Sequence, residues 1–122
     1  MAKHNITFEK SKEFALRIVN LYKYLTVEKK EFILSKQILK SGTSIGANLS
    51  ESMYGISKRD FLSKVFISLK ECAETKYWLE ILYKSDYISE SKYYSLSDDC
   101  TELIKLLTAI AKTTSFNLNP NP

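Results

Sequence analysis

From Met1 to Asn119 the chain contains no proline. Both of its prolines, Pro120 and Pro122, stand at the extreme C-terminus, and only three glycines occur in 122 residues. A backbone with so few breakers favours long helices over many short strands. The length suits one domain around one core, and a composition that is 44% hydrophobic and 26% charged is that of a folded chain, not a disordered one. Apolar spacing divides the single domain, residues 1–122, into helices at about 8–25, 28–54, 58–85 and 90–113, followed by an irregular tail rich in Asn and Pro.

In the first helix Phe14, Ile18, Leu21 and Leu25 step by four, three and four residues, one stripe of a bundle helix. Thr7 is the expected N-cap, with Glu9 in the first turn. Lys10, Arg17 and Tyr24 lie seven apart along one flank, and Lys12, Glu13 and Lys23 face elsewhere, most simply water. The connection Thr26–Lys30 is short, so helices one and two are expected to be antiparallel neighbours, with Thr26 capping the second. That second helix carries Leu34, Ile38, Ile45, Leu49 and Met53 on one stripe. Gly42 and Gly46 flank it on one side, and Ser41, Asn48 and Ser52 on the other. Each glycine costs about 1 kcal/mol of helix propensity relative to alanine. Close approach by a neighbouring helix is the expected compensation. Gly55 is placed for the left-handed position after the helix end.

Ser57 and Asp60 open the third helix as N-cap and N3 residue. Phe61, Val65, Leu69, Cys72, Leu79 and Tyr83 form one stripe. Ile67, Trp78 and Ile81 lie on roughly the opposite side, with Glu71, Glu74 and Leu82 nearby. A helix apolar on two sides buries both, and in so small a bundle the second side most simply faces another subunit. Lys76 and Glu80, four apart, pair with each other or cover the core edge with their stems. Ser89 caps the fourth helix, whose Leu96, Cys100, Leu103, Leu107 and Ile110 form a heptad seam. A fold-back near Asp86 would bring Cys72 and Cys100 to the same height, as reduced, buried thiols.

Catalytic chemistry has little to stand on. There is no Gly-rich phosphate loop, and one histidine, His4, is too few for a triad or a metal site. Glu51, Glu71 and Glu74 lack the Glu-x-x-His pattern of di-iron bundles, and Ser41, Ser44 and Ser50 have no base beside them. We therefore expect no enzyme, no metal and no cofactor. No apolar run reaches membrane-spanning length and the N-terminus lacks a signal-like apolar core, so no membrane and a cytoplasmic setting are expected. The net charge of +4 is uneven: residues 1–40 hold nine Lys/Arg against four Glu, while the remainder is close to balanced. The basic third is either a solvated helix face or an attraction for nucleic-acid phosphates or an acidic partner. The chain's many aromatic residues either pack at core and interface or, interleaved with Lys, stack on unpaired bases.

Two segments, SGTSIGANLSES (41–52) and KRDFLSKVFISLKECAETKYWLEIL (58–82), resemble the signature of a bacterial four-helix-bundle family. Its members are often encoded in intervening sequences of 23S ribosomal RNA genes. The resemblance implies an up-down monomer that assembles into a ring, commonly a pentamer. It also implies kinship with the accessory variability determinant proteins of diversity-generating retroelements, basic pentamers that bind nucleic acid and a reverse transcriptase. By position, the signature residues are Ser44, Asn48, Glu51, Lys58, Arg59, Asp60, Phe61, Glu71, Glu74, Tyr77 and Trp78. Many relatives have Arg where this chain has Lys40 and Ala73; without a guanidinium at 73, Glu71 or Glu74 lacks one partner.

The expectation is thus an all-α, antiparallel up-down bundle that self-assembles and acts as a non-catalytic, accessory RNA- or DNA-binding factor. Lys10, Arg17, Lys23, Lys29, Lys30, Lys36, Lys40, Lys58 and Arg59 are the candidate phosphate contacts. The alternative is a protein-interaction scaffold with no nucleic-acid role.

Overall fold

The structure, a computed structural model, describes residues 2–118, with side-chain surroundings for residues 5–115. Its elements are α1 (Ala2–Val27), α2 (Leu34–Ser52), α3 (Lys58–Lys84) and α4 (Glu90–Leu118), with no strand among the described residues. Each helix packs on its neighbour in sequence, α4 closes on α1, and the diagonal pairs do not approach. The apolar stripes meet in one core. Phe14, Ile18, Leu21 and Leu25 of α1 join Ile38, Ile45 and Leu49 of α2, Val65, Cys72, Leu79 and Leu82 of α3, and Leu96 to Ile110 of α4. Each large aliphatic side chain buried in this way contributes roughly 1.5–3 kcal/mol.

The two flanks of α2 receive different neighbours. A Cβ on Gly42 would lie 2.7 Å from Cγ1 of Ile18, and one on Gly46 would lie 2.8 Å from Oγ of Ser11. The glycines therefore admit α1. Across the other flank, Ser41 and Thr75 hydroxyls lie 2.9 Å apart, and Ser68 Oγ donates to the Ile45 carbonyl at 2.9 Å. Small residues on both sides of α2 let two helices come close, and the buried hydroxyls find partners there.

Caps and bounds depart from the sequence expectation in several places. Ser57 accepts from the Asp60 N–H and Ser89 from the Lys92 N–H, both at 3.1 Å, as expected of N-caps. Thr7, however, is inside α1 and fully buried. Thr26 does not cap α2; it donates to the Tyr22 carbonyl. α2 starts at Leu34, not near Glu28, because Lys30 takes a left-handed conformation (φ 55°) and Glu31 N–H then folds back to the Leu25 carbonyl, 2.9 Å away. The Glu31 carboxylate instead accepts from the backbone N–H groups of Ile33, Leu34 and Ser35 at 3.2, 3.0 and 2.7 Å. Burial by itself would raise its pKa, but these donors prevail and hold it below the usual carboxylate range.

Gly55 does not adopt positive φ, as no glycine here does; its missing side chain leaves room for the start of α3, where a Cβ would meet Phe61 N at 3.2 Å. The left-handed turn between α3 and α4 falls to Asp86 (φ 68°). α4 runs on to Leu118, through most of the stretch expected to be irregular; residues 119–122 of that tail lie outside the described residues. Lys76 and Glu80 do not pair: Lys76 donates to Thr101 Oγ1 at 2.8 Å, and Glu80 pairs with Lys84 at 2.7 Å.

The buried face of α3 also lies further round than its apolar residues suggested. Val65, Ser68, Cys72, Thr75, Leu79 and Leu82 are its buried set. Leu82, expected near the second side, is in the core. Ser68 and Thr75 are polar and so escape an apolar count, although the 3-4-3-4-3 spacing of the whole set is a bundle pattern. Between α3 and α4, Cys100 Sγ lies 3.4 Å from the Cys72 carbonyl oxygen, and both cysteines are free and buried. Hydrogen bonding to Cys100, then burial, push the Cys72 thiol far above its ordinary range, which makes it a poor nucleophile.

Candidate nucleic-acid interface

The nine candidate cations separate by what they touch. Lys10 and Arg17 share the flank of α1 that faces α4. Lys10 pairs with Glu102 at 3.4 Å. Arg17 Nη1 reaches Asp99 at 2.6 Å, and Nη2 donates to Ser95 Oγ at 2.9 Å. These contacts clasp α1 to α4 around a small cleft of about 280 Å³ lined by Phe14 and Leu103. The seven-residue spacing of Lys10 and Arg17 marks a helix contact, and their charges are compensated by α4.

The other seven, Lys23, Lys29, Lys30, Lys36, Lys40, Lys58 and Arg59, are exposed, and none forms an ion pair among the described residues. They fall in two groups. Lys23, Lys29, Lys30 and Lys36 surround the α1–α2 connection, and Lys40 continues from Lys36 one turn along α2. Lys58 and Arg59 stand at the start of α3, at the other end of the bundle, beside an open groove of about 550 Å³ lined by Met53, Ile56, Phe61 and Thr113. Of the acids near the first group, Glu31 is turned onto the α2 backbone, which leaves Glu28 as the exposed one between residues 23 and 36. Sequence reasoning put Tyr24 on a flank with Lys10 and Arg17 and did not join it, or Phe32, to this group. Phe32 is 53% exposed and Tyr24 42%, and Lys29 Nζ lies 5.8 Å from the Tyr24 ring centroid. Their signal was a failure to fit either apolar stripe.

The signature polar residues sit on the outer side of α2 and α3. Most are bonded locally. Ser44 donates to the Lys40 carbonyl (2.6 Å), Asn48 to the Ser44 carbonyl (2.9 Å), and Trp78 Nε1 to Glu74 (3.1 Å). Glu51 pairs across to Lys64 at 2.8 Å. Tyr77 is 56% exposed and meets Trp78 edge-on, while Trp78 and Ile81 are half-buried and Phe61 packs against the core. Asp60 is exposed and Glu71 half-buried. Among the described residues no group of three His, Cys, Asp or Glu side chains could hold a metal, and no helix is long and apolar enough to cross a membrane.

Geometry and charge thus define an all-α four-helix protein with a basic, ring-bearing end and a signature face that is bonded mainly within its own helices. The chain belongs to the family of 23S rRNA-intervening sequence proteins, whose profile matches residues 3–109. It is similar to a protein of unknown function from the S23 ribosomal protein family of Bacteroides thetaiotaomicron VPI-5482, with 55% identity and a TM-score of 0.89. That match covers 90% of this chain and 98% of the other. No curated protein sequence matches the chain.

Proposed function

We propose that this protein is a non-catalytic, accessory nucleic-acid-binding factor built as an antiparallel up-down bundle that assembles into a ring. Seven exposed cations without ion pairs among the described residues carry this reading. On one chain they form two modest patches. Repeated around a ring they give avidity that a single copy lacks. The antiparallel reading is supported by contacts that run in opposite directions along neighbouring helices: Ser11 and Ile18 with Gly46 and Gly42, Ser41 and Ile45 with Thr75 and Ser68. Assembly is supported by the outer side of α3, where Phe66, Ile67 and Tyr77 remain exposed in the single chain beside signature groups bonded locally.

The test is RNA or DNA binding as a function of salt. Affinity should fall steeply as salt rises, since each neutralised phosphate releases counterions. An absence of binding at low salt ends this reading. Light scattering tests the ring: wild type should run as a multiple of the chain mass and Ile67→Glu/Tyr77→Glu as a single chain.

A protein-interaction scaffold is favoured by one observation, the groove beside Lys58 with Tyr54 and Ile56 strongly exposed near it. A defined protein that co-purifies after nuclease treatment would support that reading.

A further inference from the structure

Resting on the nucleic-acid reading, we infer that the α1–α2 end binds single strands, with unpaired bases stacking on Phe32 and Tyr24 while Lys23, Lys29, Lys30 and Lys36 neutralise the flanking phosphates.

Tyr54 stands exposed near Lys58 and Arg59 as well, but this group sets four free lysines against that pair and two open rings against that one. Phe32 and Tyr24 are 53% and 42% exposed, so both offer ring surface to a partner without unfolding anything. The Lys29 ammonium is already within cation–π reach of Tyr24, at 5.8 Å, so ring and cation share one neighbourhood. Glu31, which would otherwise repel a phosphate here, is 9% exposed and engaged by three backbone donors. A duplex keeps its base faces stacked on one another and would use only the lysines; a single strand uses lysines and rings together.

Val27 and Ile33 also lie exposed at this end, and an anionic bilayer would accept them. Peripheral helices, however, meet a bilayer with an apolar face. Here the apolar faces of α1 and α2 are used up in the bundle core, which favours the polyanion with stackable bases.

The experiment measures fluorescence anisotropy of a labelled RNA of about 20 nucleotides, long enough for one binding site, as single strand and as duplex at low salt. Wild type should bind the single strand more tightly. Phe32→Ala should weaken single-strand binding by at least about fivefold, the low end for losing one stacked base, and leave duplex binding within about twofold. Phe32→Trp should retain it, and Lys112→Ala, an exposed lysine next to Thr113 of the groove at the other end and outside the candidate contacts, should change it little. Phe32 is more than half exposed, so its variants keep the core, which circular dichroism verifies. If RNA binds but Phe32→Ala is silent, or strand and duplex bind alike, this inference fails and the nucleic-acid reading stands. If neither RNA binds wild type, both fail; Phe32-dependent binding to phosphatidylglycerol vesicles would then assign the end to a membrane surface.

Discussion

Replacing Gly42 by alanine sets two effects of opposite sign against each other. In an isolated helix the change is favourable by about 1 kcal/mol. In the bundle the new Cβ would lie 2.7 and 2.9 Å from Cγ1 and Cγ2 of Ile18, where carbon atoms settle at roughly 3.5–4.0 Å. Ile18 is fully buried and β-branched, so it has few rotamers to retreat into, and α1 must move outward. Overpacking of this kind costs about 1–3 kcal/mol, and a stiff, enclosed neighbour places it toward the upper half. The expected net loss is about 1–2 kcal/mol, or several degrees in Tm for a chain of this size. Thermal and urea unfolding at one fixed protein concentration measures it. Ala47→Gly, at an exposed position on the same helix, calibrates the propensity effect and should cost about 1 kcal/mol. Ile18→Ala destabilises on its own, but in that background Gly42→Ala should become neutral or favourable, a coupling of at least about 1 kcal/mol. A Gly42→Ala protein more stable than wild type would refute the account of why α2 tolerates glycine.

Three further outcomes follow from the geometry. Glu31→Gln should cost about 1 kcal/mol at neutral pH, as for loss of a helix cap. Because the folded carboxyl has a lowered pKa, its contribution is complete above the unfolded value of about 4.3 and fades as pH falls toward the folded value. Acid titration of the wild type should therefore lose stability through this window, and the Gln variant should lose less. Thr75→Val removes the hydroxyl beside buried Ser41 at nearly constant volume; a loss of about 1–2 kcal/mol in urea unfolding is expected, and no loss would mean Ser41 is satisfied without it. Arg17→Ala should cost at most about 1 kcal/mol at low salt, since the pair with Asp99 is partly exposed, and less at high salt; Arg17→Lys should not fully restore it, because a single nitrogen on a flexible stem does not reproduce the two-nitrogen fork that meets Asp99 and Ser95.

The legible part of the fold was its periodic part. The stripes of α1 and α4 and the caps Ser57 and Ser89 repeat at spacings that a wheel resolves, and the core contains them. The bounds of α2 were not legible. They depend on Lys30 adopting a left-handed conformation without being glycine, and on a carboxylate capping across three residues. The candidate site was half visible. A count of basic residues finds all nine cations, but pairing with α4 acids is a relation between residues more than 80 positions apart, and it separates Lys10 and Arg17 from the rest.

By itself the sequence determined that this chain is all-helical, with four apolar stripes and a basic N-terminal third, because periodicity and charge are properties of neighbouring residues. Tertiary structure alone decided which flank of α2 meets which helix, that Ser68 and Thr75 belong inside, and which lysines stay uncompensated. Each of those outcomes is settled by a contact between distant segments, and a contact distance exists only once the helices have packed.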